Sequence, residues 1–137
     1  MIKQTRGERN CNPGNLDRNQ TRWLGMAQEQ PDSRFITFTE PKMGIRALAK
    51  TLLTYYHLYH LDTVEKIVNR WAPTNENDTN SYVNAVADVL SVEPDTVINV
   101  ESPMTLELLV RAIIKHENGR IAYSDEVIQE AIDLAVA

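Results

Sequence analysis

The stretch LLVRAIIKHENGR, Leu108 to Arg120, ends an apolar helical pattern on a carboxylate. Glu117 falls on the last turn, where the helix dipole leaves partial negative charge and a cation is preferred. That position, with partial burial beside Leu108, Leu109, Ala112 and Ile113, raises a carboxyl pKa, as a general acid requires. Two other acids stand in unusual surroundings. Glu8 lies in an Asn-rich loop near Arg6 and Arg9, which lowers its pKa and favours an ion pair, so it is the poorer proton donor. Glu76, between WAPTN and NDT, reads first as part of a capping cluster. No Ser-His-Asp set, phosphate loop or zinc signature accompanies them. The expected chemistry is acid–base cleavage, with Glu117 ranked first, Glu8 second and Glu76 behind them. Cys11 is the only cysteine, which excludes an intrachain disulfide. His57, His60 and His116 form no recognisable ligand pattern, and no metal or cofactor is assigned.

A chain of 137 residues has room for one domain, 1–137, with a modest core. No segment approaches the length of an apolar membrane span, and MIKQTRGERN lacks the apolar stretch of a secretory signal. The net charge of -5 argues against general nucleic-acid binding. The charge is uneven, however: Lys3, Arg6, Arg9, Arg18 and Arg22 face only Glu8 and Asp17 in the first 25 residues. Such a basic face could meet an anionic polymer or simply be solvated.

These acids need elements to position them. RGERNCNPGNLDRNQ is dense in Asn, Gly and Pro and predicts an irregular loop with turns near NPGN. TRWLGM and RFITFTE read as two short strands of a small N-terminal β-hairpin joined by AQEQPDS. From Pro41 the period changes, and Ile45, Leu48, Leu52, Tyr55, Tyr56 and Tyr59 mark one face of a long helix. DTVEKIVNRWAP predicts a short helix capped by Asp62 and Glu65 and stopped by Pro73. NSYVNAVADVLSV follows, with Tyr82, Val83, Val86, Val89 and Leu90 on its apolar face. Ser102 with Pro103 opens the helix that carries Glu117, Gly119 closes it, and Ser124 caps a last helix. The expected class is a mainly α single domain.

AIIKHENG resembles the helix of the lysozyme-like and lytic transglycosylase families that ends in the catalytic Glu. RGERNCNPGNL, TRWLGM, RFITFTEPKMGIRALAKTLLTYY and RWAPTNENDTNSYV are together similar to a family of phage virion-associated murein hydrolases. The resemblance spans roughly residues 6 to 119. It implies a lysozyme-like fold and cleavage of the peptidoglycan glycan strand between N-acetylmuramic acid and N-acetylglucosamine. It also implies a virion or host-cytoplasmic protein that acts at the cell wall, with other virion proteins as partners. In most lysozyme-like enzymes the catalytic helix precedes the β-hairpin, whereas here the Glu-bearing helix comes near the C-terminus. A circularly permuted arrangement is therefore expected, with Glu117 set against the NCNPGNL loop and the hairpin. Glu8 with Asn12 and Pro13 copies the Glu-x-x-x-Asn-Pro spacing of transglycosylases but lacks a preceding apolar helix.

With one convincing acid, the resemblance favours the transglycosylase route, in which one Glu protonates the glycosidic oxygen and the sugar's own group closes the ring. A second acid, Glu8 or Glu76, would turn the reaction toward hydrolysis. Asn12, Asn15, Trp23, Trp71 and Tyr82 are the expected substrate-binding residues, since amides bind N-acetyl groups and aromatic faces stack on sugars. Each has a structural alternative: Asn12 and Asn15 as turn formers, Trp71 and Tyr82 as core. Trp23 has the best claim to a groove. Two other classes stay open, a murein peptidase or amidase and a noncatalytic virion or wall-binding protein.

Overall fold

Amphipathic helices this short are stable only when their apolar faces are buried against one another. The computed structural model describes residues 3–72 and 78–137. Among these, α1 (Arg6–Arg9), α2 (Pro41–Tyr59), α3 (Val64–Trp71), α4 (Thr79–Leu90), α5 (Pro103–Asn118) and α6 (Asp125–Val136) follow in order. The domain is mainly helical, as the periodicity predicts. α2 packs against α6 and α5, while α4 packs against α5 and α3. Ile45, Leu48 and Leu52 of α2 share one core with Leu109 and Ile113 of α5 and Ile128 of α6, all fully buried. Each such side chain contributes about 1.5–3 kcal/mol of transfer free energy. Val89, expected on the apolar face of α4, is exposed.

Helix ends follow local chemistry. Gly119 closes α5 at φ 77, and the Ser124 hydroxyl accepts from the Val127 amide to start α6. The cap of α3 differs from expectation. Thr63 accepts the amide of Lys66, whereas Asp62 forms an ion pair with the Lys66 ammonium at 3.2 Å. Pro73 and Glu76 lie outside the described residues.

The expected β-hairpin does not form among the described residues. Phe35 bridges to Asp17 and Phe38 to Met26, so residues 34–39 meet two different partners for one residue each. Side chains explain this, because they occupy the donors a ladder would use. Asp32 accepts the amides of Arg34 and Phe35, and Gln30 accepts that of Thr37 while donating to the carbonyls of Ala27 and Thr37. Side chains of this type compete with regular backbone pairing. The alternation itself holds: Ile36 and Phe38 are buried in a second small core with Ala47.

The N-terminal loop is also more regular than predicted. Thr5 and Glu8 form a reciprocal capping box around the single turn of α1. The turn is tied to the end of α5, where Thr5 donates to Asn118 at 2.6 Å and Asn118 donates to the carbonyl of Pro13 at 2.8 Å. Gly7 is required by the closeness: a Cβ there would stand 2.7 Å from Asn118 Oδ1. Asn12 is fully buried. It donates to the carbonyls of Leu16 and Ile36 and accepts the Leu16 amide.

Two carboxylates lock this region. Arg120 donates to both oxygens of Glu8, at 3.0 and 2.6 Å, and holds its pKa below the ordinary value. Arg6 grips Asp32 in the same bidentate way, and with the Phe35 and Arg34 amides it keeps that carboxyl far below the usual range. Groups with depressed folded-state pKa values add stability above the unfolded carboxylate range, about pH 4, and that stability is lost as pH falls through the folded values. Melting followed by circular dichroism should therefore show a Tm that falls steeply below about pH 4. Arg120→Ala should lower Tm by several degrees at neutral pH and flatten part of the acid dependence, because Glu8 then has no ion pair to lose.

Candidate functional site

Glu117, the penultimate residue of α5, is half-buried on the wall of a cleft of about 680 Å³. Both of its carboxylate oxygens are held by neutral donors. Asn15 donates to Oε1 at 2.8 Å, and the Tyr82 hydroxyl donates to Oε2 at 2.9 Å. No described residue forms an ion pair with it. Asn15 reaches Glu117 from a left-handed backbone position, φ 52, which Asn tolerates better than most residues. The expectation that Glu117 faces the NCNPGNL loop is thus met in geometry.

Tyr82 is buried on α4, and the ring of His116 stacks on it at 3.8 Å between centroids. Burial, and then the neighbouring Glu117 carboxylate, push the phenol far above its ordinary value. The phenol is therefore a protonated donor at neutral pH. Asn15 and Tyr82 are positioning residues for Glu117.

Trp23 and Trp71 also line the cleft, with Tyr55 and Tyr59 beside them. Trp71 packs edge-on against Tyr55, with centroids 6.0 Å apart. Gly14 is the floor below Trp71, since a Cβ there would stand 3.2 Å from the indole. The lining of the cleft is thus rich in aromatic residues.

Three expected site residues lie elsewhere. Asn12 is sealed in the loop with its amide committed to backbone groups, so it cannot reach a ligand. Tyr82 meets Glu117 from the core and offers no face to the cleft. Glu8 is buried, bound by Arg120 and absent from the cleft lining, which removes it as a proton donor. Glu76 lies outside the described residues. The sequence reading missed Asp17, Arg34 and Arg70, all on the cleft. Asp17 is tied to Arg34 at 2.7 Å and leaves Glu117 as the cleft carboxylate without a described cation. Its place two residues after Asn15 in the same loop was the available signal. The arginines had none, because their approach depends on the packing of distant segments.

A mainly helical domain with a carboxylate held by an amide and a phenol on the wall of an aromatic cleft is the class that fold and site define. No family model matches the chain. Over 131 residues it is 36% identical to Protein P5 of Pseudoalteromonas phage PM2, an alignment that covers 93% of this chain and 80% of that protein. The chain belongs to the family of that phage protein. Among the described residues no helix is long and apolar enough to cross a membrane.

Proposed function

We propose that the protein cleaves the glycan strand of peptidoglycan between N-acetylmuramic acid and N-acetylglucosamine, on a circularly permuted lysozyme-like scaffold, with Glu117 as its single acid and base. One observation carries this reading: Glu117 lines a cleft that Trp23, Trp71, Tyr55 and Tyr59 also line, and it is oriented there by Asn15 and Tyr82. Protonated Glu117 gives its proton to the glycosidic oxygen as the bond to C1 breaks. The resulting carboxylate then takes the proton of the sugar's C6 hydroxyl as that oxygen closes on C1, so no water is consumed. A two-carboxylate mechanism needs a second free acid, and among the described residues the other carboxylate on the cleft, Asp17, is engaged by Arg34. Trp23 and Trp71 supply faces for stacking on sugar rings. A phage relative fits an enzyme carried with a virion and used against the bacterial wall. A cysteine peptidase has less support, since burial pushes the Cys11 thiol up and away from the reactive thiolate.

Purified sacculi test the reading. Soluble muropeptides with intact stem peptides should appear with the wild type and not with Glu117→Gln; peptides released from an uncut glycan would refute it. Tyr82→Phe preserves the core volume and deletes the donor to Glu117. It should lower kcat by about tenfold, within the range for loss of one hydrogen bond to a charged group, while KM and Tm change little.

A further inference from the structure

Among the described residues, the cleft holds one arginine that forms no ion pair with a carboxylate. Arg34 is paired with Asp17. Arg70, in the last turn of α3, instead lies over two rings, its Cζ 4.1 Å from the Tyr59 centroid and 5.1 Å from that of Tyr55. It forms no ion pair with a described residue. The Tyr55 hydroxyl takes part of its donor capacity, a guanidinium over a ring keeps its remaining in-plane N–H donors for a planar acceptor, and Arg with a carboxylate is the pair that geometry suits best. Arg70 and Tyr59 are exposed to solvent, and both line the cleft that Glu117 lines. The two tyrosine rings against which it lies also limit the freedom of the side chain, so less is lost when it binds.

We infer that Arg70, seated on Tyr55 and Tyr59, binds a carboxylate appended to the glycan strand and makes the cleft selective for acidic over neutral N-acetylated glycans. The inference rests on the glycan reading of the cleft. Such a carboxylate has two sources in peptidoglycan, the lactyl ether of a peptide-free muramic acid and the acidic residues of a stem peptide. Neutral N-acetylglucosamine oligomers carry neither. The same sugar backbone should therefore bind more weakly when it lacks the acid.

Calorimetric titration of the Glu117→Gln protein, which binds without cutting, separates these cases. The probes are N-acetylglucosamine oligomers, peptide-free glycan strands and peptide-bearing strands. Adding Arg70→Gln should weaken binding of acid-bearing strands by about tenfold, the scale of one charge-assisted hydrogen bond, and leave the neutral oligomer unchanged. Arg70→Lys should recover part of the loss, because it restores charge without the fork. A loss seen with peptide-free strands assigns the carboxylate to the lactyl group, and a loss confined to peptide-bearing strands assigns it to the peptide. Equal loss on neutral and acidic glycans, or no loss on any, would overturn the inference while the glycan reading stands. Failure of every glycan to bind would overturn both.

Discussion

Glu117→Gln is expected to reduce glycan cleavage by about 10³-fold with the fold intact. The substitution is isosteric. Asn15 still has an amide oxygen to donate to in place of Oε1, and the Tyr82 oxygen can accept from the new amide nitrogen in place of donating to Oε2. What is lost is the exchangeable proton, and with it both halves of the reaction. General acid–base catalysis by one positioned group is worth about 10²–10⁴ in rate, and in the proposed route the same group acts twice. The change should appear in kcat rather than KM, since the proposed stacking residues Trp23 and Trp71 are untouched. An unchanged Tm in the same preparation separates the loss of chemistry from loss of structure. A mutant that retains wild-type activity would return Glu117 to the role of a helix-end residue.

Gly44→Ala should be the most damaging small substitution for stability. Helix propensity alone favours Ala by about 1 kcal/mol. The contact opposes it: a Cβ at Gly44 would stand 1.7 Å from the Cys11 carbonyl oxygen and 2.8 Å from its carbon. Both neighbours are backbone, and the Cys11 backbone has little freedom, with φ 52 and Asn12 sealed beside it. Relief requires α2 to move away from the N-terminal loop. Overpacking of this kind costs about 1–3 kcal/mol where side chains can adjust, and the top of that range is expected here, a drop in Tm of about 10 °C. Activity should fall further than stability explains, because the loop that moves also carries Asn15. Gly119→Asn is the control. It has a left-handed φ of 77 but no atom within 4 Å of its Cβ position, so thermal melting should show a much smaller loss.

The helices were legible because their information is local. Ile45, Leu48 and Leu52 repeat at helical spacing, Pro103 and Gly119 bound α5, and Ser124 caps α6, so each signal lies within a few residues of its effect. α1 escaped notice since four residues are too few to show a period. The hairpin was misread for a related reason. The alternation of Ile36 and Phe38 reports burial, but whether Phe35 pairs with a strand depends on Asp32 and Gln30 capturing the neighbouring amides.

Within the site, Glu117 was found from its misfit with the helix dipole, which is local, and Trp23 from its place near the loop. Asn12 and Tyr82 were not resolved by residue type. An Asn can bind a ligand or bury itself against carbonyls, and only the approach of Ile36 to residue 12 decides. Tyr82 has an apolar face read correctly as core and a hydroxyl that meets a carboxylate 35 residues away. Arg70 became a candidate only when α3 set it over two rings of α2.

The most direct test of the single-carboxylate account is mass spectrometry of the glycan ends produced from purified peptidoglycan by the wild type and by Glu117→Gln. The account predicts anhydro-muropeptides from the wild type, one water lighter than reducing-end products, and none from the mutant. Reducing ends from the wild type would contradict it and direct attention to Asp17 as a second carboxylate.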